Sequence, residues 1–132
     1  MMVLVDSDVW SEAFRKGGRK SRAVSLLEEF VENDEVVMIG PVRQEALSGI
    51  KEERQFEEIR KILRAFPSRL PEDSIFELAA SFFNICRSNG IQGSHTDFLL
   101  CACCVAWKVR ILTKDKDFGR YAEYLPIDLV KV

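Results

Sequence analysis

The chain has 132 residues, 47% of them hydrophobic, which suits one compact domain with a core of its own. Lys and Arg total 19 against 21 Asp and Glu, a formal net charge of −2, so no overall basic field draws it to nucleic acid and any such binding must use a local patch or a metal. No apolar run approaches the roughly 18–20 residues needed to cross a bilayer, and Met1-Met2-Val3-Leu4-Val5 meets Asp6 too soon for a signal peptide; a cytoplasmic protein is the expectation.

Val3-Leu4-Val5 is short and continuously apolar, as in a strand buried on both faces. Ser7 or Asp8 can cap a following helix that carries Val9, Trp10, Ala13 and Phe14 on one side. Gly17-Gly18-Arg19-Lys20-Ser21 breaks that helix, and a second runs through Val24, Leu27, Phe30 and Val31. Val36-Val37-Met38-Ile39 reads as the next strand, with Pro41 placed to start a helix. From Lys51 to Phe66 an apolar stripe of Phe56, Ile59, Ile62, Leu63 and Phe66 predicts a helix that makes a hairpin with the segment from Pro41 around Ser48-Gly49. Pro67 and Pro71 bracket a short extended piece, Ser68-Arg69-Leu70. Glu72 to Asn89 is helical, with Ile75, Leu78, Ala79, Phe82, Phe83 and Cys86 inward and Gly90 as its stop. Ser94 to Trp107 is apolar nearly all round, a central buried helix. Val109-Arg110-Ile111-Leu112 and Ile127-Asp128-Leu129-Val130 finish as strands. The alternation predicts an α/β domain with a mainly parallel sheet, a single unit over 1–132 without repeats or linkers.

Cys86 stands alone, while Cys101, Cys103 and Cys104 crowd one apolar segment. Tetrahedral zinc sites draw on separated ligand pairs, and His95, the only histidine, does not supply a second pair. The odd spacing does not fit a secreted disulfide framework either. The thiols are expected to be reduced and buried as small hydrophobes. His95, in the first turn of a predicted helix, is expected to be structural.

Four acidic residues stand at the edges of apolar runs. Asp6 ends the first strand, Glu45 lies after Val36-Val37-Met38-Ile39-Gly40-Pro41, Asp97 opens Phe98-Leu99-Leu100-Cys101-Ala102, and Asp115 follows Ile111-Leu112-Thr113-Lys114. A half-buried carboxylate must be protonated, paired with a cation or bound to metal. Each has an ordinary alternative. Asp97 stands three residues after Ser94, as in a capping box; Asp6 and Asp8 can cap the first helix; Glu45 can be solvated; Asp115 can sit in a turn with Lys116. In a parallel sheet, however, the loops beyond the strands' carboxyl ends share one rim, where ligand sites gather. Asp6 and Asp115 both follow strands, and Asp97 begins a helix that can start at that rim. Brought together, the four would make a divalent-metal site.

The segments Leu4-Val5-Asp6-Ser7-Asp8-Val9-Trp10, Pro41-Val42-Arg43-Gln44-Glu45-Ala46-Leu47-Ser48-Gly49, His95-Thr96-Asp97-Phe98-Leu99-Leu100-Cys101-Ala102 and Ile111-Leu112-Thr113-Lys114-Asp115-Lys116-Asp117-Phe118 resemble, in order, the four signatures of PIN-domain ribonucleases. The nearest group by resemblance is the VapC-type toxins of bacterial and archaeal toxin–antitoxin pairs. The likeness spans nearly the whole chain. It implies a three-layer α/β/α fold with a central, mainly parallel sheet of four or five strands. It also implies endonucleolytic cleavage of RNA by a metal-activated water, with Asp6, Glu45, Asp97 and Asp115 holding Mg²⁺ or Mn²⁺. Asp6 and Asp97 are the expected direct ligands; Glu45 acts through water or helps activate the nucleophile, and Asp115 completes the pocket. A small antitoxin protein and a homodimer are the implied partners, with apolar residues of the hairpin around Phe56 as candidate contacts, although core packing also accounts for them.

Around this set, Ser7 and Thr113 are candidates to hydrogen-bond the carboxylates. Asp8 departs from the small neutral polar residue more usual at its position, and either adds charge to the site or caps the helix. Asp117 competes with Asp115 for the fourth place; Asp115 fits the spacing before Phe118 better. Arg15, Lys16, Arg19, Lys20 and Arg22 form the densest basic cluster, and with Arg43 near the rim they are the candidates for RNA backbone contact. Two rival readings remain. Asp6-Ser7-Asp8 also resembles the first motif of haloacid-dehalogenase-like phosphatases, with Asp6 as nucleophile, but Trp10 and the short chain fit poorly and Glu45 and Asp97 gain no role. The other rival is a non-catalytic PIN-like interaction module.

Overall fold

The structure is a computed structural model describing residues 1–132. At its centre lies β1 (Val3–Val5), flanked in parallel by β2 (Val36–Val37) and β3 (Arg110–Leu112) in the order β2-β1-β3. The register pairs Val3 with Val36 on one side, and Val3, Leu4 and Val5 with Arg110, Ile111 and Leu112 on the other. Single parallel bridges, Met38 to Ser68 and Ile111 to Leu129, widen the sheet at both edges. Five segments thus lie side by side, three as paired strands and two held by one bridge each. Ile127–Val130, expected as a full strand, is reduced to such an edge. Expected strand 36–39 is shorter as well, because Ile39 is already the N-cap of the next helix.

Successive strand residues point to opposite faces, yet Val3, Leu4 and Val5 are each 0% exposed. Helices therefore cover both faces, giving the three-layer α/β/α arrangement. They are α1 (Ser7–Phe14), α2 (Arg22–Glu32), α3 (Gly40–Leu47), α4 (Glu53–Leu63), α5 (Asp73–Ser88), α6 (His95–Trp107) and α7 (Asp117–Tyr121). Asp6, rather than Ser7 or Asp8, caps α1; Ser7 is its first helical residue. Ala13 is exposed, so α1 packs through Val9 and Trp10 with Phe14 half-buried beside them. Val31 and Ile62, expected inside, are also exposed.

The core runs through α6, where every residue from Phe98 to Cys104 is buried. Lys108 ends this helix in the left-handed region at φ 56°, with the Val109 amide bonded to Cys104 O at 3.0 Å, a closing turn that sends the chain directly into β3. Cys86, Cys101, Cys103 and Cys104 are free and buried, and burial pushes the Cys103 thiol up to about 12. They are inert packing groups. From β1 the chain crosses to β2 on one side and later to β3 on the other. The strand order thus reverses at β1, the place where open α/β sheets form a crevice beyond the strands' carboxyl ends. No helix is long and apolar enough to cross a membrane.

Candidate active site

Asp6 is the first residue beyond β1, at the mouth of that crevice. Its amide still pairs with Leu112 O at 2.9 Å, so sheet pairing fixes its backbone. Its Oδ1 accepts the Ser7 amide at 2.8 Å, and its Oδ2 accepts the Thr113 hydroxyl at 2.8 Å. Thr113 is the first residue beyond β3, and its Oγ1 in turn accepts the Asp115 amide at 3.0 Å. One hydroxyl therefore joins the ends of two neighbouring strands to the loop that carries Asp115. At 8% exposure Asp6 is the one charged residue in the buried set. Burial, then the charge of Asp8 and more weakly that of Asp97, push its carboxyl up from 3.8 to about 6, against the opposing bonds from Thr113 and Ser7.

Asp97 enters from the first turn of α6. Ser94 Oγ accepts its amide at 3.1 Å, so the helix-capping role is real. Its side chain has a separate use, since Oδ2 accepts the Tyr121 hydroxyl at 2.8 Å. Burial raises its pKa, opposed by the bonds from Tyr121 and Ser94, and the charge of Asp115 adds to the rise. Asp8, in the first turn of α1, is raised by burial as well, with the Lys114 amide opposing at 3.1 Å from Oδ2 and the charge of Asp115 adding. Its Oδ1 is buried and has no hydrogen-bond partner.

Asp115 is exposed, accepts the Asp117 amide on Oδ1 at 2.9 Å, and acts electrostatically on both Asp8 and Asp97. Asp117 is the exposed first residue of α7 and acts on Tyr121 instead. Glu45, exposed on α3, accepts the Ser7 hydroxyl at 2.8 Å, which links it to the residue next to Asp6. Asp6, Asp8, Asp97 and Asp115 thus lie close enough to repel one another at one rim, with Glu45 at its edge. No three His, Cys, Asp or Glu side chains already converge on one point. The all-oxygen donor set, with one buried oxygen unpartnered, fits a hard ion that keeps several waters better than a closed cage.

The basic candidates divide. Arg15, Lys16, Arg19, Lys20 and Arg22 are all exposed in and just after the α1–α2 connection, and Lys20 pairs with Glu28 at 2.9 Å. Arg15, Arg19 and Lys20 line a depression of about 370 Å³ together with Glu12. Arg43 does not join them. Its guanidinium donates to Ser68 Oγ at 3.2 Å, to Leu63 O at 2.9 Å and to Phe66 O, so it ties α3 to the exit of α4 and is not free to meet RNA. His95 stacks on Phe83 with centroids 5.0 Å apart and lines a cleft of about 470 Å³ between α5 and α6 that contains none of the acids.

Three participants escape a sequence reading. Tyr121 holds Asp97 from a five-residue helix whose placement follows only from the fold. Lys114 Nζ meets Glu12 Oε1 at 2.6 Å, and Glu12 also accepts the Ser21 hydroxyl at 2.8 Å. A signal for Glu12 existed: it stands four residues after Asp8, on the same face of α1.

Carboxylates from four separated segments thus gather at the strand ends, in the order of the four signatures. The sequence model of the PIN domain matches residues 3–124. This chain belongs to the PIN-domain family. It is 30% identical over 121 residues to the ribonuclease VapC11 of Mycobacterium tuberculosis and to a VapC ribonuclease of Mycobacterium bovis, covering 89% of this chain and 89% of each relative. Among solved structures it is similar to FitAcB of Neisseria gonorrhoeae, with a TM-score of 0.78 at 17% identity over 98% of this chain and 97% of that one. It is equally similar in fold to VapBC2 of Rickettsia felis bound to a DNA fragment from their promoter, TM-score 0.78 at 16% identity, with 98% of both chains covered. Membership of this family sets aside the haloacid-dehalogenase-like alternative, whose motif left Glu45 and Asp97 without a role.

Proposed function

We propose that this PIN-domain chain is a VapC-type endoribonuclease, the toxin of a toxin–antitoxin pair, and that it cuts RNA with the help of Mg²⁺ or Mn²⁺. Mutually repelling carboxylates at one rim carry this reading: Asp6, kept buried at 8% exposure beside Asp8 and Asp97, is destabilising at neutral pH unless a cation joins it. A bound divalent ion would acidify a water for in-line attack on phosphorus and offset charge on the phosphoryl and leaving oxygens.

The chain's own residues divide the remaining work. Asp6 and Asp97 hold the ion directly, each oriented by a hydroxyl, Thr113 for the first and Tyr121 for the second. Glu45, on Ser7, orients or deprotonates the attacking water, and Asp115 completes the negative pocket. Without the ion the rim repels RNA, so cleavage should depend strictly on added divalent metal and cease in EDTA. The exposed cations of the α1–α2 connection then attract the strand. Kinship with named VapC ribonucleases supports RNA as substrate; an antitoxin protein as inhibitor, a homodimer as the assembly and the cytoplasm as the place of action belong to the same proposal.

Brief induction of the chain followed by mapping of cleaved total RNA tests the reading, with Asp6→Asn and Asp97→Asn as controls. The expected result is defined new RNA ends with the wild type and none with either folded variant. Cleavage that survives in both purified variants would refute it, and failure of the wild type to cut any RNA with Mg²⁺ or Mn²⁺ would favour a non-catalytic interaction module.

A further inference from the structure

Asp8 is over-engaged for a helix residue and under-satisfied for a carboxylate. Its Oδ2 accepts the Lys114 amide at 3.1 Å, which ties α1 to the loop after β3. Its Oδ1 is buried and accepts no hydrogen bond, although the Val9 amide stands near enough to favour the charged form of the carboxyl. A buried oxygen of a charged group left unpaired costs about 1–3 kcal/mol or more and calls for an explanation. The α1 cap does not supply one, because Asp6 performs that role. The neighbouring cation supplies only part of one: the charge of Lys114 acts on Asp8, but its Nζ is bonded to Glu12 Oε1 at 2.6 Å. Meanwhile Asp8 exerts a stronger repulsion on Asp6 than Asp97 does, so the charges at the N-cap and in the first turn of α1 oppose each other.

We propose that Asp8 is a fifth carboxylate of the metal-holding set, turning Oδ1 onto a divalent ion shared with Asp6 while Oδ2 stays on the Lys114 amide. The inference rests on the metal-dependent reading above and extends it to a residue that this reading does not need. A hydrogen-bonded Oδ2 fixes the plane of the carboxylate, so Oδ1 offers its lone pairs from an already ordered position. One cation between Asp6 and Asp8 relieves both charges, whereas each alone leaves the other uncompensated. Affinity for hard divalent ions rises with the number of charged oxygen ligands. Asp8 therefore makes this chain a tighter binder than Asp6, Asp97, Glu45 and Asp115 alone would.

Asn at this position separates the two roles of the side chain. It keeps an oxygen for the Lys114 amide and removes the charge, so a residue that merely braces the loop loses nothing. Mn²⁺ binding to the purified full chain, followed by the electron paramagnetic resonance signal of the free ion, is the direct measurement, with thermal unfolding in EDTA beside it. Asp8→Asn should weaken Mn²⁺ binding at least tenfold while its unfolding temperature in EDTA equals or exceeds that of the wild type. Affinity within twofold of the wild type would overturn the proposal and leave Asp8 as a loop brace. Wild type that takes up no Mn²⁺ at all would overturn the metal-dependent reading itself, and with it this extension. Should Asp8→Asn fail to fold, Asp8→Ser is judged by the same tenfold and twofold limits.

Discussion

Asp6→Asn should stabilise the metal-free protein at neutral pH, although it removes one of the two residues proposed to hold the metal directly. The carboxyl of Asp6 titrates at about 6 in the fold against 3.8 for an ordinary aspartate, with burial the main cause. That difference corresponds to about 3 kcal/mol, at roughly 1.4 kcal/mol for each tenfold change in proton affinity. The sign follows from which state holds the proton. Below about pH 4 the group is protonated in both folded and unfolded chains and stability is unaffected. Between about pH 4 and 6 the unfolded chain ionises while the fold still binds the proton, so stability falls as pH rises, and above about pH 7 the loss is complete.

Asparagine resembles the protonated acid in shape and has no charge. It keeps an acceptor for Thr113 or for the Ser7 amide but not for both, which returns about 1 kcal/mol. The net expectation in EDTA at pH 7.5 is a gain of about 2 kcal/mol, or roughly 6–10 °C in unfolding temperature for a domain of this size. Thermal unfolding by circular dichroism, run in EDTA from pH 4 to 8, reads it. The gap should close towards pH 4 and reach its plateau by pH 7. Added Mg²⁺ should raise the wild type and leave the variant unmoved, narrowing the gap from the other side. A variant less stable than wild type at pH 7.5, or a gap that ignores pH, would show that Asp6 is not held as a strained charge.

Thr113→Val removes the hydroxyl shared by Asp6 and the Asp115 amide; it should cost about 1–3 kcal/mol by denaturant unfolding at pH 7.5 and slow RNA cleavage on the order of tenfold or more. Tyr121→Phe leaves the ring packed against Phe98 and Phe118 but withdraws the donor from Asp97. Single-turnover cleavage should fall about tenfold, an effect of about 1.4 kcal/mol, while the pH dependence of Asp97 moves upward. Arg43→Ala strands the carbonyls of Leu63 and Phe66 and should destabilise the fold by about 2–3 kcal/mol, with Mn²⁺ affinity unchanged. A loss of RNA binding out of proportion to that stability change would return Arg43 to the substrate path.

What the sequence made legible is what depends on neighbours in the chain. Asp6 and Asp115 could be set at a common rim because each follows a run of strand character, and parallel strands end on the same side. The buried helix from Ser94 and the reduced thiols in it follow from an apolar pattern without a polar face. Ser7 and Thr113 were candidates for the carboxylates, and each does bond one, 38 and 107 residues away, but other distant partners were not legible. Arg43 reads as a rim cation only until its guanidinium is seen to satisfy carbonyls 20 and 23 residues away. The hydroxyl on Asp97 comes from 24 residues downstream on a short helix, and no local spacing announces it. Asp8 reads equally well as a cap or a ligand until the fold assigns the cap to Asp6. Edge strands were overestimated for a related reason: their length depends on what lies beside them, not on their own apolar content.

The hydrogen bonds around Asp6 show why its strain is tolerated. Thr113 and Ser7 could in principle neutralise the group further, but two neutral donors fall short of the desolvation they oppose, and the pKa stays near 6. A lysine on Asp6 would have cured the deficit, but the nearby Lys114 places its Nζ on Glu12 at 2.6 Å, which is itself held by Ser21. A permanent ammonium at the rim would compensate Asp6 and Asp8 internally and compete with any divalent ion for the same oxygens. With Nζ on Glu12, Lys114 reaches Asp8 only through its charge and its amide, so further compensation of the acids would have to come from outside the chain. The same pairing fixes the backbone between Thr113 and Asp115, whose amides at Lys114 and Asp115 bind Asp8 and Thr113. Strain at the rim is thus what the proposed metal site would relieve, and the Glu12–Lys114 pair limits how far the chain relieves it by itself.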